Sequence, residues 1–211
     1  MNLSRSAILC CATLGLAACA AGPRVEPVQV TRFHQASALS QLGNGTIFVE
    51  TAPGPVTGPG QYDDSDSLAL APYKAAIAAE LATLGYRETA RTDALQVAQV
   101  RVERFEQRPG GRRGPVTVGG SAGTGGFGSG VGLGVGINLG GGDRTMIGTD
   151  LSVSIRDKSS GDVLWEGRAS LNASDNSQYA DVNASAAAIA AAMFRGFPGN
   201  NGETIEVEIS E

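Results

Sequence analysis

The chain has 211 residues, with 16 Lys and Arg against 21 Asp and Glu, one His and three Cys. A formal net charge of −5 offers phosphodiesters no attraction, which argues against nucleic acid as a partner. Glycine is the most conspicuous bias, with 30 residues, about half of them in positions 110–142.

The N-terminus follows the order of a secretory signal: Arg5, then a short apolar stretch from Ser6 to Leu16, then the small residues Ala17 and Ala18. The stretch is about half of the roughly 20 apolar residues that span a bilayer as a helix. The tetrapeptide Leu16-Ala17-Ala18-Cys19 resembles the lipobox of bacterial lipoproteins, in which the Cys thiol takes diacylglycerol and the preceding peptide bond is cut. That resemblance implies a signal peptide over 1–18, cleavage between Ala18 and Cys19, and lipidation of Cys19. Cys10 and Cys11 leave with the signal, so the mature chain has one thiol and no disulfide. It also loses Arg5 alone among its charges, which leaves 15 basic and 21 acidic side chains. Each buried CH₂ of an acyl chain contributes about 0.8 kcal/mol, and two or more chains hold a protein stably. Ala20 stands where many enterobacterial lipoproteins of the inner membrane carry Asp, so the resemblance implies the periplasmic face of the outer membrane.

Residues 19–27 are expected to be a tether, with about 28 Å of reach for the eight residues after Cys19. Residues 28–211 are long enough for one domain. Val28 to Phe33 alternates apolar and polar residues as a half-buried strand, and Thr46 to Glu50 is a β-branched strand. Positions 51–67, rich in Pro, Gly, Asp and Ser, read as a loop. Asp66 or Ser67 can cap a helix with Pro72 in its first turn; Leu70, Tyr73, Ile77, Leu81 and Leu84 share one face, and Gly85 ends it. Ala94 to Phe105 reads as a strand whose alternation shifts near Val97 and Ala98.

Ile147, Thr149, Leu151, Val153 and Ile155 form one phase of a strand, the polar turn Asp157 to Asp162 follows, and Val163, Trp165, Gly167, Ala169 and Leu171 form one phase of the next. This predicts a β-hairpin with one buried face. A second helix is expected from about Tyr179 to Arg195, facing inward with Val182, Ala186, Ile189 and Met193, and stopped by Phe197-Pro198-Gly199. Ile205, Val207 and Ile209 alternate with Glu206 and Glu208 as a last strand. The expected fold class is α+β: a mostly antiparallel sheet with two helices packed on one face, plus the Gly-rich insert.

Within the insert, Gly123 to Gly128 fits a dinucleotide fingerprint and Gly119 to Gly123 a nucleophile elbow, both without the strand and helix those motifs need. Val131, Leu133, Val135, Ile137 and Leu139 alternate with small residues, as an edge strand or as a flap that contacts a partner or membrane. Arg108, Arg112 and Arg113, with Arg104 and Arg144, form a basic collar around the insert, either a contact for lipid phosphates or a solvated rim. His34 has no second His or Cys to share zinc with, and no Ser has a nucleophile context. Asp63, Asp64 and Asp66 lack the glycine turn and distal Glu of an EF-hand loop, so they read as a solvated acidic loop. No catalytic residue, metal site or cofactor is expected.

Leu151 to Asp157 followed by Ser160 to Ala169 resembles the hairpin signature of the bacterial lipoproteins called domain of unknown function 4136, and the helix ending in Phe197-Pro198 is similar to that family's close. The N-terminal half departs from the family's commoner opening. The resemblance implies an envelope location and supplies no catalytic residues. The expected function is a non-enzymatic, membrane-anchored envelope lipoprotein, an accessory or interaction module with an envelope protein or lipid as partner. The alternative is a carrier of a lipid or other small apolar ligand.

Overall fold

The computed structural model describes residues 22–53, 68–107, 114–115 and 144–210. Cys19 and its lipobox, the acidic loop with its Asp66 or Ser67 cap, and the alternating run 131–139 lie outside them.

Among the described residues one sheet has eight strands: β1 (Val28–His34), β2 (Thr46–Thr51), β3 (Arg87–Glu88), β4 (Gln96–Gln107), β5 (Gly114–Pro115), β6 (Met146–Asp157), β7 (Val163–Ser174) and β8 (Thr204–Val207). Their order is β3-β2-β4-β6-β7-β1-β8, with β5 paired to β4. The centre is antiparallel, with β4 on β6, β6 on β7, and β1 on β7 and β8. β2, however, runs parallel to both β3 and β4. The sheet is therefore mixed: antiparallel pairing predominates, as expected, and what is corrected is the expectation that no βα crossover occurs. The cause is a helix, α1 (Ala71–Thr83), lodged between β2 and β4; such a crossover returns the chain in its original direction.

The residues that form α1 also end it. Pro72 sits in the first turn, where its missing N–H costs nothing. Tyr73, Ile77 and Leu81 are buried on one face. At the other end the Gly85 N–H donates to the Ala82 carbonyl and the Tyr86 N–H to the Leu81 carbonyl, a Schellman closure. It needs Gly85 at φ 100°, where a Cβ would lie 2.6 Å from the Gly43 oxygen.

The second helix, α2 (Val182–Phe194), is shorter than the periodicity predicts. Asp181 adopts extended geometry as N-cap, its Oδ1 accepting from the N–H groups of Asn183 (2.8 Å) and Ala184 (3.0 Å). Tyr179 thus belongs to a separate 3₁₀ turn, Gln178–Ala180. α1 lies over β2 and β4, α2 over β7 and β1, and the helices touch each other, so both cover one face. Between the layers Trp165, Tyr73, Ile47, Ile77, Leu81, Leu151, Ile155, Leu171, Ile189 and Met193 are fully buried.

The long hairpin holds one register, from Met146↔Ser174 to Ile155↔Trp165, then skips Leu164 as a bulge before Arg156↔Val163. β4 pairs with β6 without any register shift, from Gln96↔Asp157 to Gln107↔Met146. The apparent change of phase near Val97 arises because Gln96 is buried on the inner face, its amide donating to the Gln41 carbonyl at 2.8 Å.

On β7, Trp165 folds back over Gly167, where an added Cβ would stand 2.2 Å from the indole Cη2. Gly167→Ala should therefore displace a fully buried indole and cost about 1–3 kcal/mol as overpacking. A urea midpoint equal to wild type for the domain starting at Gly22 would refute this packing.

Candidate functional site

The segment entering from the N-terminus is already part of the sheet before β1 begins. β1 covers β7 only as far as Gln29↔Ser170 and its immediate neighbours, so the last residues of β7 need another partner. Arg24 supplies it: its N–H donates to the Ser174 Oγ (2.8 Å), and the Ser174 N–H donates to the Arg24 carbonyl (2.8 Å). The Glu26 N–H donates to the Asn172 carbonyl (2.9 Å), and Val25 bridges Ala173 one residue out of step with β1. Pro27, with no N–H to give, marks the slip. Residues 22–27, expected to belong to a tether, are thus docked from Gly22 onward. Cys19 precedes Gly22 by three positions.

The two described arginines of the expected collar are structural ties. Arg144 donates through Nη1 to the Gly22 carbonyl at 2.6 Å. Arg104, on the inner face of β4, donates to the Tyr73 hydroxyl (3.5 Å) and the Ala180 carbonyl, joining the start of α1 to the turn before α2. Arg108, Arg112 and Arg113 lie outside the described residues.

His34 closes β1 opposite Trp165. Its Nε2 meets the Gly199 carbonyl at 3.2 Å, its backbone N–H donates to the Asn201 Oδ1 (3.0 Å), and its buried Nδ1 has no hydrogen-bond partner. These are main-chain and amide contacts, without the nucleophile and carboxylate of a catalytic relay. Among the described residues no group of three or more His, Cys, Asp or Glu is placed to hold a metal.

The most unusual polar group is one that the alternation of β1 hides. Arg32 continues the inward phase of Val28 and Val30 and is 5% exposed, while Phe33 turns outward at 40% with the Arg168 guanidinium 5.9 Å from its ring centre. Arg32 satisfies the end of α2: Nε donates to the Met193 carbonyl (3.0 Å), and Nη2 to those of Arg195 (2.7 Å) and Ala192 (3.4 Å). Burial lowers its pKa, and Glu203 opposes that shift. Beside it Trp165 stacks on Phe194 at 5.4 Å, meets Phe197 at 5.2 Å, and donates its indole N–H to the Pro198 carbonyl at 3.0 Å. The parity of Val28 and Val30 was the available signal for Arg32.

Two exposed carboxylates hold turns. The Ser159 hydroxyl, with the N–H groups of Ser160 and Ser159, lowers the pKa of Asp157 at the hairpin tip. The Ala184 N–H, then that of Asn183, lowers that of Asp181, with Arg104 adding an attractive charge.

The family model described as "Domain of unknown function (DUF4136)" matches residues 47–199. The curated proteins contain no match. Among solved structures, the PelC dodecamer from Paraburkholderia phytofirmans is similar at 13% identity and a TM-score of 0.41, over 79% of this chain and 94% of that one. A PDZ domain protein from Parabacteroides distasonis is similar at 12% identity and a TM-score of 0.47, over 87% of this chain and 38% of that one.

Arg32→Met keeps the aliphatic stem but leaves buried carbonyls at the end of α2 unpaired, so it should cost about 3 kcal/mol. Arg32→Lys restores charge without the fork and should recover only part of this. Equal urea midpoints for wild type and Arg32→Met would show that the cap is dispensable. For Asp157 and Asp181 the folded pKa lies below the unfolded one. Their stabilisation is full above the ordinary carboxylate range and is lost as pH falls through the folded value. Asp181→Ala should thus lower the urea midpoint at neutral pH, with a gap to wild type that narrows from about pH 5 to about pH 3; a constant gap would contradict the cap.

Proposed function

The chain belongs to the family described as domain of unknown function (DUF4136), and on that premise we propose that it is a lipid-anchored protein of the bacterial envelope whose domain acts as a non-enzymatic interaction module. One observation carries the reading: Leu16-Ala17-Ala18-Cys19 ends three positions before the first docked residue, Gly22. Cleavage before Cys19 would remove the apolar segment and leave the sheet whole, and acyl chains on the thiol would retain the domain at a membrane. Ala20 favours the outer membrane, with the domain in the periplasm. A module reading is supported by how the polar groups of the described residues are spent. Arg32 and Arg104 bond main-chain carbonyls at the two ends of α2, and His34 bonds the 199–201 turn. A carrier of lipid or small apolar ligand would need room between sheet and helices, which is where Trp165, Tyr73, Ile77, Ile189 and Met193 are fully buried.

Cys19→Ser should abolish incorporation of labelled fatty acid, leave the precursor uncut by the lipoprotein peptidase, and leave the fold unchanged. Labelled fatty acid still bound to the Cys19→Ser chain would overturn the reading.

A further inference from the structure

We infer that the domain is mounted end-on, with the sheet end formed by Gln107, Met146, Ser174 and Gly22 against the phospholipid headgroups and the Asp157–Asp162 hairpin tip pointing away from them. The inference rests on the lipid anchor at Cys19 and adds what that reading leaves open, the face that meets the bilayer.

Length is the first argument. Three positions separate Cys19 from Gly22, a span of at most about 11 Å. Gly22 is fixed to Arg144, and Arg24 to Ser174, so no further slack lies inside the domain. β6, by contrast, has 12 residues, which at about 3.3 Å each make the sheet about 40 Å tall. The hairpin tip is out of reach of the bilayer that holds the acyl chains.

Strand direction supplies the second. Gln107 pairs with Met146 and Met146 with Ser174, so β4 and β7 end, and β6 begins, beside Arg24. β2 runs parallel to β4 toward the same end, and α1 starts there, with the Tyr73 hydroxyl on Arg104. Leu68, five positions before Tyr73, is 91% exposed. The most exposed large apolar side chain described is therefore at the anchored end. Leu95, also exposed, lies beside the hairpin tip, its carbonyl accepting from the Lys158 N–H.

Charge gives no reason to lie flat on the open face of the sheet. Its outward positions carry Glu50, Glu103, Asp150, Glu166 and Glu206 against Arg87, Arg101, Arg156 and Arg168, and Arg91 is paired to Glu50. Carboxylates and guanidiniums so nearly balanced offer anionic headgroups no net attraction.

Cys19 is blocked by its thioether, so an introduced thiol is the only one open to labelling. Leu68→Cys, Asn176→Cys, Glu103→Cys, Leu95→Cys and Ser160→Cys, all at exposed positions, would carry an environment-sensitive fluorophore. The lipidated protein would be placed in vesicles of zwitterionic and anionic phospholipid bearing a headgroup quencher. Quenching severalfold stronger at 68 and 176 than at 95, 103 and 160 is expected. Equal or stronger quenching at 95 or 160, or at 103, overturns the end-on mounting while the anchor stands. Failure of the protein to float with the vesicles overturns the anchor reading and the mounting with it. About 20 Gly and Ser residues inserted between Ala21 and Gly22, reaching about 25 Å, should erase the contrast; a contrast that survives the insertion also overturns the inference.

Discussion

A helix that ends inside a protein leaves its last carbonyls without partners, and this fold is organised around that constraint at α2. Met193 and Phe194 are buried, so the terminal turn cannot turn its carbonyls to water. A guanidinium from the neighbouring strand answers the deficit, bonding the carbonyls of Ala192, Met193 and Arg195. That solution dictates its surroundings. Arg32 sits opposite Gly167, over which the Trp165 indole lies, and the indole in turn packs on Phe194 and Phe197 and holds the Pro198 carbonyl. β1, β7, α2 and the chain after α2 are joined in one cluster.

The family match begins at Ile47 and ends at Gly199, so it leaves out β1 and β8, the two strands that complete this side of the sheet. Arg32 lies in the unmatched part, while its acceptors at the end of α2 lie in the matched part. The domain as a packed object is therefore larger than the family's recognised span. β1, ahead of the matched span, pairs with β7 inside it.

Local order was legible wherever burial follows a simple period. β6 and β7, the buried face of α1 and the ending at Gly85 all follow from side-chain spacing and the needs of a helix end. Pairing was not legible. Nothing in Thr46 to Thr51 says that β2 will lie parallel to β4, because period two reports which side of a strand is buried and not which strand lies beside it. Polar residues in the inward phase were the other source of error. Arg32 and Gln96 each occupy an inward position because a carbonyl waits there, and hydrophobicity alone cannot announce a distant acceptor. The proposed attachment at Cys19 rests on a local sequence pattern, a thiol after small residues at the end of an apolar stretch. How the chain behind Cys19 meets the domain was not legible.

That junction shows why composition misleads about tethers. Ala20-Ala21-Gly22-Pro23 reads as a linker, yet β7 outruns β1 and presents the Asn172 carbonyl and the Ser174 N–H at an open edge. Unpaired backbone groups at a sheet edge invite another strand, and residues 24–26 are the chain already at hand. The segment that would lead from the membrane therefore closes the sheet instead of hanging from it. A force on Cys19 would be transmitted through Arg24 to the end of β7, the strand that also carries Trp165 and Gly167. With Cys19 lipidated as proposed, the same hydrogen bonds that satisfy the edge of β7 would fix how far the domain can stand from a membrane.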